Sequence, residues 1–241
     1  MKPVRRRSGA RRKWFAGLLI LATLAFVALG AWQVQRRAWK HALIAAVDAR
    51  VAAPAQAAPG PGSWSGISAD RDGYRHVSAT GHYVAGHDVL VRAVSDLGAG
   101  YWVMTPLDTG AFTVLINRGF IAQDRKGAVA SPPAGKIRIT GLLRISEPHG
   151  GFLRRNDPAA GQWYSRDIAA IAAVQKVDRA APYFVDADAA GNRPGAPVGG
   201  LTVIRFPDNH AVYALTWFAM ALLSAWGTWR VLRPEAEDDI G

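Results

Sequence analysis

The chain has 241 residues, half of them hydrophobic, with 29 Lys and Arg against 18 Asp and Glu and no cysteine. The lack of cysteine excludes disulfide staples, thiolate catalysis and Cys-ligated metal, so a packed core must hold the fold. A net charge of +11 raises nucleic acid as a partner. Yet Lys2, Arg5, Arg6, Arg7, Arg11, Arg12 and Lys13 cluster at the start as a topology signal, and the rest carries no basic helix or aromatic-studded motif, so no nucleic-acid partner is expected.

Residues 1–13 form the basic tail, and residues 14–35 carry no charge over 22 positions, matching the roughly 20 that a helix needs to cross the hydrocarbon core. Trp14 and Trp32 stand where an interfacial aromatic belt would lie. The run is longer than a signal-peptide core and no A-x-A site follows it before Arg36-Arg37, which predicts an uncleaved anchor. Helical spacing continues through Trp39, Leu43, Val47 and Arg50 until Pro54 ends it, and a Pro and Gly rich linker without regular structure is expected up to residue 72.

From residue 73 the pattern changes to short Val, Ile, Tyr and Thr rich runs punctuated by Gly and Pro. These predict strands at 74–84, 89–93, 101–107, 113–118, 137–145, 183–186 and 201–206, arranged as a mostly antiparallel sheet or barrel-like domain. One helix interrupts them at 165–177, with Asp167 in its first turn. The domain runs over residues 73–209. A second span follows at 210–231, uncharged and rich in aromatics from Ala211 to Trp229, with Arg230 at its end and Arg233 in a tail at 232–241.

The fold class is therefore a membrane protein, two transmembrane α-helices flanking a mainly β (α+β) extracytoplasmic domain, with the lipid bilayer as its first partner. Basic residues before the first span and after the second put both termini in the cytoplasm. The short basic start, with no longer Ser and Arg rich presequence, favours a bacterial inner membrane over a mitochondrial one.

Six histidines invite a metal reading. His76 and His82 share a strand face, but six residues at about 3.3 Å each put them roughly 20 Å apart, too far for one ion. They are expected to be solvated strand histidines. No G-x-S-x-G, His-Glu-x-x-His, P-loop or dinucleotide fingerprint occurs, so the chain is expected not to be an enzyme.

His210 stands apart, in the first turn of the second span with Pro207, Asp208 and Asn209 ahead of it. Tyr213, Ala214, Trp217, Ala221 and Ser224 follow on its side of the helix, a stripe suited to helix contact or a flat ligand. A neutral imidazole there suits haem iron, and an interfacial helix cap is the plainer role. Arg118, at the expected end of a strand, is a candidate partner for a carboxylate or a haem propionate, against the commoner exposed turn arginine. Trp163 and Tyr164 are expected to pack on the sheet.

Seven collinear stretches resemble the surfeit locus protein 1 family of cytochrome c oxidase assembly factors. They are Leu29 to Lys40; Tyr74-Arg75-His76-Val77; Thr80-Gly81; Val114-Leu115-Ile116-Asn117-Arg118-Gly119; Thr140-Gly141-Leu142-Leu143-Arg144; Trp163-Tyr164; and Asn209-His210 with Tyr213-Ala214 and Thr216-Trp217-Phe218. The resemblance implies a two-span protein that assists maturation of a haem-copper oxidase, handling haem a for insertion into subunit I, with subunit I and haem a synthase as partners. It further implies His210 as a haem a ligand, and the residues around it are read as completing that site, Tyr213 and Trp217 as the pocket wall and Arg118 toward a propionate. A non-haem scaffold steadying a subunit I intermediate is the alternative. Asp208 stands where the family often has asparagine, and Phe120 where it often has tryptophan.

Overall fold

The computed structural model describes residues 7–151, 153–204 and 206–233. Lys2, Arg5 and Arg6 of the basic tail, Arg205 of the last predicted strand and the tail from residue 234 lie outside the described residues. The chain divides into two compact units, one built from the terminal helical segments and the other spanning Ala46–Ile204.

In the helical unit, α1 (Arg7–Ala52) contributes residues up to Ala45, and α4 (His210–Leu232) runs antiparallel beside it. Small residues set their approach. A Cβ on Gly30 would lie 2.5 Å from the Phe218 ring, so the ring rests directly on backbone, while Ala16, Ala214 and Ala221 are buried. Phe26 stacks on Trp217 with centroids 5.7 Å apart. Leu18, Leu21, Leu24, Leu215, Leu222 and Leu223 point outward and exposed. Thr23, Thr216 and Thr228 return their hydroxyls to carbonyls one turn back, so that these polar groups are satisfied within their own helices. Arg12 donates to the Val231 carbonyl and, at 2.5 Å, to that of Arg233, satisfying the end of α4. These are two apolar helices long enough to cross a membrane, one at each end of a β-rich domain.

The β domain closes on itself. Strands β2 (His76–Tyr83), β4 (Gly98–Asp108), β5 (Thr113–Ala122), β6 (Lys136–Ile145) and β7 (Ala180–Ala187) pair in the cycle β2-β6-β7-β5-β4, and β4 returns to β2 through His82 opposite Asp108 and Tyr83 opposite Leu107. All pairs are antiparallel except β5 with β7. The seam depends on Gly81, where a Cβ would meet the Asp108 carbonyl at 2.2 Å. Two strands extend the barrel wall: β3 (Val89–Ser95) on β4 and β1 (Gln56–Ala57) on β2.

Alternation along the strands sorts two cores. Val77, Leu107, Val114, Ile116, Leu143, Tyr183 and Val185 fill the barrel, while Leu115 and Phe184 point outward under α3 (Ile168–Val174). Ile168, Ile171 and Trp163 complete that outer layer, each fully buried apolar side chain contributing about 1.5–3 kcal/mol. Asp167 caps α3, accepting the Ala170 N–H at 3.2 Å.

Three expectations are corrected. The linker is structured: β1 pairs with β2, and the turn Pro61–Gly66 brings Trp64 edge-on to Phe112, centroids 5.8 Å apart, plugging one end of the barrel. The carbonyl of Pro59 accepts both the Trp64 indole N–H at 3.0 Å and the Tyr183 hydroxyl at 2.7 Å, which gives a Pro and Gly rich segment a definite path. No strand forms among the described residues of 201–206; the segment is instead tied to the barrel by the Thr202 hydroxyl, which donates to Asp186 at 3.0 Å. Arg118 is not at a strand end, since β5 runs on to Ala122.

Asp186, on β7 and 4% exposed, ties the domain together. One of its oxygens accepts Asn117 Nδ2 at 2.8 Å and Arg166 Nη1 at 3.3 Å; the other accepts Arg144 Nη1 at 2.9 Å and Thr202 Oγ1 at 3.0 Å. Arg166 also grips Glu147 with two bonds, at 2.6 and 3.0 Å. Asp186→Ala removes the buried anion between Arg144 and Arg166, leaving Glu147 as the carboxylate near both, and should cost about 3–5 kcal/mol. In denaturant titrations of the full-length protein in detergent, the unfolding midpoint of the β domain should fall accordingly.

Candidate functional site at the head of the helix pair

Gln33, Arg37 and His41 recur every fourth residue of α1 and therefore share a face. That face meets the start of α4. His210 Nδ1 lies 2.7 Å from Gln33 Oε1, and because that oxygen only accepts, Nδ1 carries the proton and the lone pair of Nε2 is left over. Asp208 Oδ1 accepts the His210 backbone N–H at 3.1 Å, so the side chain just ahead of the helix satisfies one of its free donors. Asp208 Oδ2 accepts His41 Nε2 at 2.7 Å and sits 3.5 Å from Arg37 Nε. Lys40 donates to the carbonyl of Pro207.

Beside this cluster opens a groove of about 540 Å³, with Val34, Ala214, Leu215 and Phe218 as apolar lining and Arg37, His41 and His210 as polar lining. A surface with an apolar floor, a directed imidazole and cations at its edge can hold a flat apolar molecule bearing carboxylates.

The other predicted site residues stand elsewhere. Tyr213 is about half exposed, and Trp217 is engaged by Phe26. Arg118 belongs to the β domain, with its side chain 6% exposed. Its Nη2 donates to the Ala130 carbonyl at 2.7 Å, its Nη1 is 3.5 Å from Asp88, and its guanidinium lies 5.8 Å from the Tyr83 ring centre. It is not a solvated turn residue. His76 is not a solvated histidine either: its Nδ1 bonds the Ala53 carbonyl at 2.9 Å and its Nε2 lies 3.5 Å from Asp188. Among the described residues no cluster of His, Asp and Glu could hold a metal ion. Trp163 is buried under α3 as expected, and Phe120 packs edge-on to Trp102.

Sequence reasoning missed Gln33, Arg37 and His41 as site residues. Their spacing was the available signal. It also left Asp208 as a mild departure, whereas the carboxylate is what lets this position answer two basic side chains at once.

The His41 ring N–H, then the His210 backbone N–H and Arg37, hold the Asp208 carboxyl below the usual aspartate range. A depressed carboxylate stabilises above its unfolded pKa, and that contribution disappears as pH falls through the lower folded pKa. The tie is thus complete at neutral pH and released only in acid. In a carboxyl-detected NMR titration Asp208 should titrate below the ordinary aspartate value, and His41→Ala should move its midpoint upward.

A family model described as SURF1 family matches residues 20–222. The chain is 33% identical to Surfeit locus protein 1 of Mus musculus over 239 residues, covering 89% of this chain and 73% of the relative. It is 30% identical to Surfeit locus protein 1 of Homo sapiens over 235 residues, covering 87% and 74%. Against a SURF1-like protein of Monosiga brevicollis it is 31% identical over 225 residues, covering 85% and 82%. With a match that takes in most of both apolar helices and the whole barrel between them, the chain belongs to the SURF1 family.

Proposed function

We propose that this chain is a membrane-anchored, non-enzymatic assembly factor for a haem-copper cytochrome c oxidase, and that it holds haem a as cargo at the His210 groove before delivery to subunit I. In this reading both helices cross a bacterial inner membrane, both termini are cytoplasmic and the β domain is extracytoplasmic. Haem a synthase would supply the cargo. Membership of the SURF1 family supports the assembly role.

The observation that carries the haem reading is the 2.7 Å contact between His210 Nδ1 and Gln33 Oε1. With Gln33 accepting from Nδ1–H and orienting the ring, Nε2 is left as a ligand at the edge of a groove whose volume of about 540 Å³ lies within the roughly 300–1,000 Å³ of small-molecule sites. Haem iron would accept that nitrogen as an axial ligand. Arg37 and His41 offer positive charge toward carboxylates, and Phe218 with Leu215 shields the apolar side from water. Arg37, in the same groove as His210, replaces Arg118 in this proposal as the propionate partner.

The full-length protein, purified in detergent from cells co-expressing the haem a biosynthetic enzymes, should show a haem a band in its reduced-minus-oxidised spectrum. His210→Ala should abolish it, and Gln33→Ala should weaken retention about 10–100-fold, as loss of a ligand's orienting partner does. A colourless, folded wild-type protein from membranes that contain haem a would overturn cargo handling and favour a scaffold for subunit I.

A further inference from the structure

Two side chains that line the His210 groove already hold a carboxylate of the protein's own. Arg37 and His41 lie on the groove with their side chains 50% and 54% exposed, open to a molecule that enters it. Asp208, 19% exposed and outside the groove lining, contacts both. Its Oδ2 accepts the His41 Nε2 proton at 2.7 Å and lies 3.5 Å from Arg37 Nε.

This tie is of a kind that can be exchanged. The other oxygen, Oδ1, accepts the His210 backbone N–H at 3.1 Å, which fixes the carboxylate at the head of α4. The contact with Arg37 is a loose ion pair rather than a full hydrogen bond, and His41 is held by a single bond. Ion pairs between side chains this exposed are weak. A second carboxylate arriving through the groove therefore meets donors whose charge is partly compensated, and it binds them less strongly than it would bind unpaired ones. When it departs, Asp208 takes the donors back and no positive charge is left without a partner. The imidazole of His210 stands apart from this exchange, since Gln33 Oε1 orients it from 2.7 Å.

We propose that Asp208 is a built-in competitor for the acid groups of the cargo: it yields Arg37 and His41 to a cargo carboxylate and reclaims them on release. This role rests on the haem reading of the groove and goes further by naming the residue that keeps holding reversible. Firm holding and fast release oppose each other, and affinity differences within one site are expressed mainly in the rate of dissociation, so an internal carboxylate that lowers affinity also speeds hand-over.

Optical titration of the full-length protein in detergent tests this with two ferric probes: iron protoporphyrin IX, which has two free carboxylates, and its dimethyl ester, which has none. Asp208→Asn is nearly isosteric, and its Oδ1 still accepts the His210 backbone N–H. It should bind the free acid about three- to tenfold tighter than the wild type does, the scale of two half-exposed ion pairs, and the ester within about twofold. Release of the free acid to excess apomyoglobin should slow by a similar factor. On an Arg37→Gln, His41→Gln background the Asp208 substitution should no longer change the affinity for the free acid, because the donors it competes for are gone. An unchanged or weaker grip on the free acid in Asp208→Asn overturns the competition. Equal tightening of acid and ester does so too, since it places the effect on the ring and not on the acid groups. Both of these outcomes leave the haem reading standing. If the wild type binds neither probe, the haem reading of the groove falls and this role falls with it.

Discussion

The β domain depends on a carboxylate that has no business in a core unless it is fully answered. Asp186 is buried on β7, a strand whose neighbours are parallel on one side and antiparallel on the other. Its partners come from β5 (Asn117), from β6 (Arg144), from the segment before α3 (Arg166) and from beyond β7 (Thr202). Apolar packing alone tolerates slippage of one strand past another, whereas four directed bonds to one side chain accept a single register. The arginines gain further cover from aromatic faces, Arg144 over Tyr74 at 4.8 Å and Arg166 over Phe184 at 4.7 Å. Removing any one partner would leave charge in a low-dielectric place, so the network acts as a unit.

With the register set, one end of the barrel is sealed by Trp64, Phe112 and the bonds to Pro59, all of which suit a purely structural end. The helical unit contrasts sealed with unspent chemistry. Hydroxyls along the two helices are satisfied within their own helices, while at the head of the pair the imidazole of His210 is oriented but not consumed.

Much of this was legible in order along the chain. Uncharged runs of helix-spanning length, alternating Val and Ile segments and the Asp167 cap each appear where a local rule places them, since those rules concern neighbours within a few residues. What failed failed for non-local reasons. The segment around Pro59 has the composition of a free linker, and only the Phe112 ring and the Tyr183 hydroxyl, far away in sequence, give it something to hold. Residues 201–206 have strand-like composition, but the described part of the segment is held by the Thr202 bond to Asp186 and joins no ladder. His76 and Arg118 looked solvated because their partners, Ala53, Asp188, Asp88 and Ala130, are supplied by separate segments.

The sequence by itself determined the two apolar helices, the β-rich character of what lies between them and the family, because hydrophobic period, span length and motif order are properties of the chain. The tertiary structure decided which way each chemical group faces. Closure of the barrel through two residue pairs at the Gly81 seam, the satisfaction of Asp186, and the choice of Gln33, Arg37 and His41 as the company of Asp208 and His210 all require segments distant in sequence to meet. Hydrogen bonds and close packing act over a few ångströms of space, and only the folded backbone determines which residues lie that near.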